Sequence, residues 1–347
     1  MDIPKIGIGV IGLGVIGARH AARISDPETA GSLVAVHDLD SAVTQEFADK
    51  FGVTGYDSVD GLLNAEDVEA VVIAVPSGLH SELTLAALAA GKHVLLEKPI
   101  DVTVEASDRI LQAAREAGRV VTVVSQRRFA AANQFLKEVI SSGGLGKITS
   151  ATIEVPLWRT QEYYDSAGWR GTWAMDGGGA LMNQGVHLVD LALWLLGDVE
   201  EVYAHCGLLA HERIEVEDTV TFTARMKSGA LMTFLATTAA LGHPPIRVNV
   251  MGDGGTIITV NEEVVHYTTE DGPHDLAAVP KSDPTPGKAI ESMQRQQLLD
   301  FVRAAKGIAE PLVRVEEARA AVALIEAVYE SGRIGAPVKP AELPEFL

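Results

Sequence analysis

KIGIGVIGLGVIG, residues 5–17, contains three glycines at the spacing Gly12-x-Gly14-x-x-Gly17, directly after an apolar run. The apolar run predicts a buried strand over residues 5–11, and residues 15–24 have a helical pattern. Strand, glycine turn and helix in this order are typical of a dinucleotide-binding turn. Gly12 permits the tight turn, Gly14 lets backbone N–H groups approach a pyrophosphate, and Gly17 lets the helix pack closely on the strand.

An acidic residue stands where the next strand ends. Asp38 comes 21 positions after Gly17 and directly follows the apolar run 33–37. A carboxylate there accepts hydrogen bonds from ribose hydroxyls and repels a 2′-phosphate, so the pattern favours NAD over NADP. Leu39 supplies no cation that would reverse this preference. The alternative is that the glycines serve an ordinary turn and Asp38 caps a helix.

The spacing of apolar runs predicts two domains. Strand-like runs at 5–11, 33–37, 68–75, 93–96 and 120–124 alternate with helical patterns at 15–24, 41–51, 79–90 and 104–117, which is typical of a doubly wound parallel sheet. After residue 145, six strand-like runs at 147–156, 200–209, 216–227, 230–238, 246–251 and 256–260 stand close together, which favours a mostly antiparallel sheet. The predicted fold is α/β followed by α+β. A Rossmann domain covers residues 1–126, and an α/β domain with a large open sheet covers 127–347.

Composition excludes several classes of function. The chain has 28 basic and 47 acidic side chains and a net charge of −19, which disfavours nucleic acids and anionic membranes. No apolar stretch is long enough to cross a membrane. The one cysteine, Cys206, lies in an apolar run and is predicted to be a buried thiol of a cytoplasmic protein. No spacing of ligands indicates a metal site.

A second motif lies in a long apolar segment, residues 180–196, behind the glycines 177–179. At about 100° per residue, Asn183, His187 and Asp190 share one face of a helix, within about 60° of one another. Polar side chains on an otherwise buried helix need partners, so this stripe indicates either a satisfied core or a functional site. We take residues 178–197 as a helix at the active site.

Two further motifs follow strand-like runs of the first domain: Pro76…His80, and Glu97-Lys98-Pro99. Ligands of an open parallel sheet bind beyond the carboxyl ends of its strands. Lys98 is therefore expected at the edge that binds the cofactor.

Taken together, these motifs resemble the glucose–fructose oxidoreductase / inositol dehydrogenase / rhizopine catabolism family, Gfo/Idh/MocA, over nearly the whole chain. The resemblance implies NAD(P)-dependent oxidation or reduction of a sugar or polyol and a homodimer or homotetramer formed through the open sheet. It also implies that Lys98 and His187 are catalytic. The implied cofactor-binding residues are Gly12, Gly14, Val15, Ile16, Gly17, Asp38, Pro76, His80, Glu97, Lys98, Gln126 and Trp169.

The implied substrate side includes one departure from the family pattern. Inositol dehydrogenase-like members have Asp where this chain has Asn183, and an amide cannot ionise as part of a proton relay. This favours a hexose or glycoside over inositol, with C3 of a hexose as a candidate position of oxidation. Aromatic and arginine side chains suit sugar faces and anionic groups, and the predicted substrate-binding residues are Asn183, Asp190, Arg128, Arg159, Trp158 and Arg170.

The reaction is predicted to move a hydride from a carbinol carbon while a base removes the hydroxyl proton. His187 is the expected base and Lys98 the group that stabilises the oxygen, although the reverse assignment stays open. Two other functions stay open as well: an NAD-dependent glycosidase that oxidises C3 transiently, and a non-catalytic sugar sensor that binds NAD.

Overall fold

A parallel sheet organises the first part of the chain in the computed structural model, which describes residues 5–26, 29–242, 244–281, 283, 285 and 287–344. These residues fall into two units: 5–124 with 294–319 and 344, and 125–293 with 320–343, within the limits just given. The units are thus discontinuous in sequence. The predicted linear division at residue 126 stays a prediction.

The first unit has six parallel strands among its described residues. They are β1 (Ile6–Ile11), β2 (Gly31–His37), β3 (Thr54–Gly55), β4 (Ala70–Ile73), β5 (His93–Leu96) and β6 (Val121–Val123). The intervening helices are α1 (Val15–Ile24), α2 (Ser41–Phe51), α3 (Val59–Leu63), α4 (His80–Ala89) and α5 (Val104–Ala117). The order β3-β2-β1-β4-β5-β6 confirms the doubly wound Rossmann prediction. The strands β2 and β3 lie on one side of β1, and β4 to β6 lie on the other. Ligands of such sheets bind at the carboxyl ends of the strands, where the strand order switches between β1 and β4.

Branched aliphatic side chains fill the core of this unit. Val10 and Val72 on adjacent central strands are fully buried and cluster with Leu95. Phe301 and Val302, from the far end of the chain, pack into the same cluster. A segment remote in sequence thus completes the Rossmann core, and the sequence patterns did not predict this.

The second unit contains an eight-stranded sheet among its described residues. Its strands are β7 (Ile148–Pro156), β8 (Val199–Gly207), β9 (Thr219–Met226), β10 (Leu231–Thr237), β11 (Arg247–Gly252), β12 (Gly255–Val260), β13 (Glu263–Thr269) and β14 (Gly272–Pro273). The order is β14-β13-β12-β11-β7-β10-β9-β8, and only the β7–β10 pair is parallel within the described residues. The predicted mostly antiparallel sheet is confirmed.

One face of this sheet is buried and the other is open. Along β9, Val220 and Phe222 are buried while Thr221 and Thr223 are exposed. Phe222 stacks on Phe234 of β10 with ring centroids 4.9 Å apart. The remaining helices are α6 (Ala131–Ser141), α7 (Gln161–Asp165), α8 (Val186–Leu196), α9 (Lys288–Ala305) and α10 (Val315–Ile334), and short 3-10 turns cover Ser77–Leu79, Gln126–Phe129 and Leu276–Ala278.

Three expectations need correction. Cys206 is exposed rather than buried, because it lies near the end of β8, the edge strand of the sheet. Strand β13 was not predicted, because it has no fully buried residue and so shows no apolar alternation. The predicted α-helix over 180–196 begins as a π-helix, Ala180–Gly185, and becomes α-helical only at Val186.

No helix in the described residues has the length and apolarity that crossing a membrane requires.

Candidate active site

The glycine turn after β1 has the geometry of a phosphate-binding turn. Gly12 adopts a φ of 87°, and a Cβ there would lie 2.6 Å from the carbonyl oxygen of Ala74. A Cβ on Gly17 would overlap the carbonyl oxygen of Gly12. A Cβ on Gly14, by contrast, would meet no described atom within 4 Å. Two glycines therefore permit close packing, while the third leaves space beside the turn.

The start of α1 fits a pyrophosphate in that space. Gly14 is the N-cap and brings no side chain to the helix end, and the first turn contains no acidic residue. The terminal N–H groups and the helix dipole favour an anion at such an end. Val15 and Ile16, which follow Gly14, are 70% and 37% exposed. These features fit the predicted contacts of this turn with a dinucleotide.

Asp38 lies beside the same turn. Its Oδ2 accepts a hydrogen bond of 2.7 Å from the backbone N–H of Leu13, and its Oδ1 accepts one of 3.0 Å from that of Asp40. The carboxylate is thus fixed against the glycine turn while remaining partly exposed. The following Leu39 is 94% exposed and offers no cation for a 2′-phosphate. The residues present fit the two ribose hydroxyls of NAD.

The side chain of Glu97 connects the end of β5 to α1. This side chain is buried, and its Oε1 lies 2.8 Å from Nε2 of His20 on α1. Its Oε2 accepts a hydrogen bond of 3.2 Å from the backbone N–H of Lys98. Lys98 itself is half-buried at the carboxyl end of β5. The predicted catalytic lysine thus lies at the ligand-binding edge of the sheet, on a backbone held by a buried carboxylate.

His80 holds the residue after the lysine. Its Nδ1 lies 2.7 Å from the carbonyl oxygen of Pro99, and its Nε2 lies 3.1 Å from that of Val75, next to Pro76. Burial lowers the pKa of the imidazole, against the opposing effect of its contacts with these two carbonyl oxygens. The ring therefore positions the Lys98–Pro99 segment. The predicted contacts of His80 and Pro76 with the cofactor stay predictions.

In the second unit, the three-glycine turn lies tightly against a neighbouring segment. A Cβ on Gly179 would overlap the carbonyl oxygen of Glu217, and one on Gly178 would overlap the hydroxyl of Tyr329. The glycines are therefore required by close packing at the start of the helix that contains His187.

The predicted stripe of polar side chains spans two kinds of helix. Asn183 lies in the π-helix, where the i→i+5 hydrogen-bond pattern replaces the α-helical rotation of about 100° per residue. Asn183 and Asp190 accordingly have different partners. His187, the second residue of α8, is half-buried between the buried Val186 and Leu188.

Asp176 is a site residue that the sequence patterns did not predict. It is 3% exposed, and its Oδ1 accepts a 2.6 Å hydrogen bond from Nδ2 of Asn183. Its Oδ2 accepts one of 2.7 Å from the backbone N–H of Gly171. A carboxylate therefore lies one hydrogen bond behind the amide of Asn183. Its position directly before the glycine triplet was the available signal.

Asp190 pairs with Arg128. Two hydrogen bonds join them, 2.9 Å from Nε to Oδ2 and 2.6 Å from Nη2 to Oδ1, and the side chains are 1% and 4% exposed. This buried bidentate pair joins α8 to the turn Gln126–Phe129. Such a pair positions backbone elements well. The predicted substrate contacts of Arg128 and Asp190, and the cofactor contact of Gln126, stay predictions.

The other predicted substrate residues gather around Tyr163. The guanidinium carbons of Arg159 and Arg170 lie 5.1 and 4.4 Å from the centre of this ring. Arg170 also lies 4.5 Å from the centre of the Trp169 ring. Trp158 lies beside this group and pairs through its backbone with Ala239.

Glu217 is a second residue that sequence reasoning missed. Its carboxylate accepts hydrogen bonds from the backbone N–H groups of Gly179 and Leu181, at 2.9 and 2.8 Å, and from the Tyr329 hydroxyl at 3.1 Å. Burial raises the pKa of Glu217 to about 7, against the opposing effect of the hydrogen bonds from Leu181 and Gly179. A titratable group thus holds the start of the π-helix. Glu217 lies between the buried residues Val216 and Asp218, just before β9, and no local pattern marked it as a functional residue.

The raised pKa makes folding stability depend on pH. Between about pH 4.5 and pH 7 the unfolded chain ionises at Glu217 while the folded chain keeps the proton, so stability falls as pH rises. The full loss is about 3 kcal/mol. We expect the unfolding free energy of the wild type, relative to that of Glu217→Gln, to fall by about 2–3 kcal/mol between pH 5 and pH 8. Denaturant titrations of both proteins at the two pH values measure this change.

Glu212→Gln, at an exposed glutamate of the same unit, is the control for this measurement. A difference between the wild type and Glu217→Gln that is equal at pH 5 and pH 8 would contradict the assignment.

No group of three or more His, Cys, Asp or Glu side chains is arranged to hold a metal ion in the part of the chain that the structure describes.

Comparison with known proteins places both units in one family. Residues 6–125 match the model of an oxidoreductase family with an NAD-binding Rossmann fold, and residues 133–258 match the GFO/IDH/MocA C-terminal domain.

Individual relatives agree with these matches. Myo-inositol 2-dehydrogenase of Thermotoga maritima is 31% identical over 76% of this chain and 79% of its own length. D-glucoside 3-dehydrogenase of Escherichia coli is 27% identical over 98% and 99% of the two chains. The WlbA dehydrogenase from Bordetella pertussis, solved in complex with NADH and UDP-GlcNAcA, superposes with a TM-score of 0.87. It is 31% identical, and the superposition covers 98% of this chain and 100% of that one. The chain therefore belongs to the GFO/IDH/MocA family of oxidoreductases, and its first unit is that family's NAD-binding Rossmann domain.

Proposed function

We propose that this protein is an NAD-dependent dehydrogenase that oxidises a secondary alcohol of a sugar, glycoside or polyol. The observation that carries the proposal is the placement of Lys98 at the carboxyl end of β5, in the same unit as a glycine turn that Asp38 completes. This edge of a parallel sheet is where a dinucleotide binds. The names of the relatives, an inositol dehydrogenase and a glucoside dehydrogenase, support the substrate class.

The residues have distinct roles in this proposal. When bound, NAD⁺ supplies the hydride acceptor. Lys98 donates a hydrogen bond to the substrate oxygen and stabilises its developing negative charge. His187 accepts the hydroxyl proton. Glu97 and His80 act through the backbone on either side of Lys98, and Asp176 orients Asn183 toward the substrate.

The same proposal covers cofactor choice, assembly and location. NAD is preferred to NADP because of Asp38. The open face of the eight-stranded sheet, with exposed residues such as Thr221 and Thr223, is proposed to pair two or four copies of the chain. A chain with a single cysteine, and so without an internal disulfide, suits the cytoplasm.

The test is NAD⁺ reduction, followed at 340 nm, over inositols, hexoses, hexose phosphates, uronates and aryl glycosides. Accumulation of NADH with at least one of them supports the proposal. Release of the aglycone without net NADH would indicate a glycosidase instead. Tight NADH binding without turnover on any of these substrates would indicate a sugar sensor.

The preference for NAD can be tested at Asp38. Asp38→Asn keeps a side chain of the same shape but removes the charge that hydrogen-bonds the ribose. We expect the KM for NAD⁺ to rise about 10–100-fold, since a hydrogen bond to a charged group contributes about 1.5–3 kcal/mol. The KM for NADP⁺ should fall, because the repulsion of the 2′-phosphate is gone.

Asp40→Asn is the matched control. The Asp40 side chain caps α2 by accepting a hydrogen bond from Ala42, whereas the Asp38 carboxylate contacts the glycine turn. An unchanged ratio of the two KM values in Asp38→Asn would show that Asp38 does not select the cofactor.

A further inference from the structure

We propose that Arg159, Arg170 and Tyr163 form a subsite for an anionic group on the substrate, a carboxylate or a phosphate. We call these three residues the arginine subsite. The inference rests on the proposed function and narrows its substrate class. The names of the relatives leave this point open, since inositol is neutral and UDP-GlcNAcA is anionic.

The two guanidinium groups lie on one aromatic ring. Their central carbons are 5.1 and 4.4 Å from the centre of Tyr163, and Nη1 of Arg170 also donates a 2.7 Å hydrogen bond to the Tyr163 hydroxyl. Attraction between a cation and an aromatic ring contributes about 0.5–2 kcal/mol per pair. It does not neutralise the charge. Two positive charges therefore lie against one neutral ring.

The described residues form no salt bridge with either guanidinium group. Arg159 donates to the backbone oxygen of Trp158 at 3.0 Å and to the amide oxygen of Gln184 at 2.9 Å. Arg170 donates to the Tyr163 hydroxyl. All of these acceptors, which are those that the described residues offer to the two guanidinium groups, are uncharged. Nε of Arg159 and Nε of Arg170 are both buried without a hydrogen-bond partner in the described part of the chain. The cluster thus has charge and donors that a bound anion would satisfy.

Three other arginines of the same unit are each paired with a carboxylate. Arg128 pairs with Asp190 at 2.6 Å, Arg213 with Asp165 at 2.7 Å, and Arg225 with Glu201 at 3.7 Å. The whole chain has a net charge of −19, so carboxylates are plentiful. Two arginines on one tyrosine, without a paired carboxylate in the described part of so acidic a protein, indicate that the ligand supplies the opposite charge.

The arginine subsite is continuous with the predicted substrate-binding residues. Gln184 accepts a hydrogen bond from Arg159 and donates one of 3.2 Å to Oδ1 of Asn183. Its Nε2 also lies 3.3 Å from the Tyr163 hydroxyl. Asn183 in turn is held by Asp176. Gln184 thus links Arg159 to Asn183 through two hydrogen bonds. An anion bound to the arginines would therefore be held at a fixed position relative to Asn183.

The chemical consequence concerns the substrate. A planar guanidinium group binds a carboxylate or phosphate through two parallel hydrogen bonds, which fixes orientation as well as charge. We infer that the sugar has a carboxylate or a phosphate group at a fixed distance from the alcohol that is oxidised. Binding of that group would determine which hydroxyl is presented for oxidation.

The experiment compares matched pairs of substrates in the wild type and in Arg159→Gln/Arg170→Gln. The pairs are glucuronate against glucose and glucose 6-phosphate against glucose. We expect the wild type to show at least about tenfold higher kcat/KM for one anionic member, a difference of about 1.4 kcal/mol. The double variant should lose at least that preference, and raising ionic strength should weaken it in the wild type only.

Arg213→Gln, which removes an exposed arginine already paired with Asp165, is the control and should keep the anionic preference. Equal use of neutral and anionic substrates by the wild type would overturn the inference while leaving the dehydrogenase proposal intact. An equal loss with both kinds of substrate in the double variant would also overturn it, because the arginines would then be structural.

A binding measurement separates this inference from the proposed function. Glucuronate and glucose 6-phosphate are added to the NADH-loaded enzyme, and the shift in Tm is compared with that caused by glucose. A shift with either anion that the double variant loses supports the arginine subsite even if no substrate is turned over. Absence of turnover with every sugar would count against the dehydrogenase alone. Absence of any anion-specific shift or preference would overturn the subsite.

Discussion

Lys98→Met is expected to lower kcat by about 10²–10³-fold while NADH still binds, because the variant loses the cation that stabilises the developing oxyanion. Methionine has a side chain of similar length and no charge. The backbone at this position is held by Glu97 on one side and by His80 on the other, and neither contact involves the lysine side chain. The substitution should therefore leave the end of β5 in place. The measurement is single-turnover NAD⁺ reduction with the best substrate of the panel.

The binding of NADH, followed by its fluorescence, shows whether the loss is chemical. Lys281→Met, at an exposed lysine, is the control for removing a positive charge from this acidic chain and should keep normal turnover. A Lys98→Met enzyme with near-normal kcat would remove the lysine from the mechanism.

His187→Ala is expected to lower kcat by about 10²–10⁴-fold, the usual contribution of a general base. The residue is the second of α8 and lies between buried neighbours, so alanine shortens one side chain on a packed helix. If the imidazole is the base, added imidazole should restore part of the rate in His187→Ala. A purely structural role would give no such rescue.

His266→Ala, at an exposed histidine of β13, should neither lose activity nor respond to imidazole. The double variant Lys98→Met/His187→Ala adds a further check. If both residues act on one hydroxyl, the double variant should lose much less than the product of the two single losses. Losses that multiply fully would mean that the two residues act independently.

Much of the fold followed from local patterns. The bounds of α1, α2, α5 and β5 agree with the patterns at 15–24, 41–51, 104–117 and 93–96. These elements have strong apolar periodicity and clear end signals, such as the caps at Asp40 and Thr103. Patterns of this kind determine structure within a few residues, so the sequence alone predicts them.

The site was only partly predictable. Asp38 and Lys98 follow strands of a parallel sheet, so their place at its carboxyl edge follows from chain order. Asp176 and Glu217 gave no such signal, because each acts through a partner distant in space: one on Asn183, the other on Gly179, Leu181 and Tyr329. A buried carboxylate needs donors, and only the folded chain shows which donors it has.

The sequence by itself predicted the dinucleotide turn and the acidic residue Asp38 that completes it, because spacing along one strand–turn–helix unit and the next strand is enough for both. It indicated Lys98 and His187 as catalytic candidates through the resemblance to the family. The tertiary structure decided three other points. It placed Asn183 in a π-helix, paired Arg128 with Asp190, and left Arg159 and Arg170 on one tyrosine without a counter-ion among the described residues. Charge balance between side chains far apart in sequence depends on which atoms meet in space, and no local pattern records that.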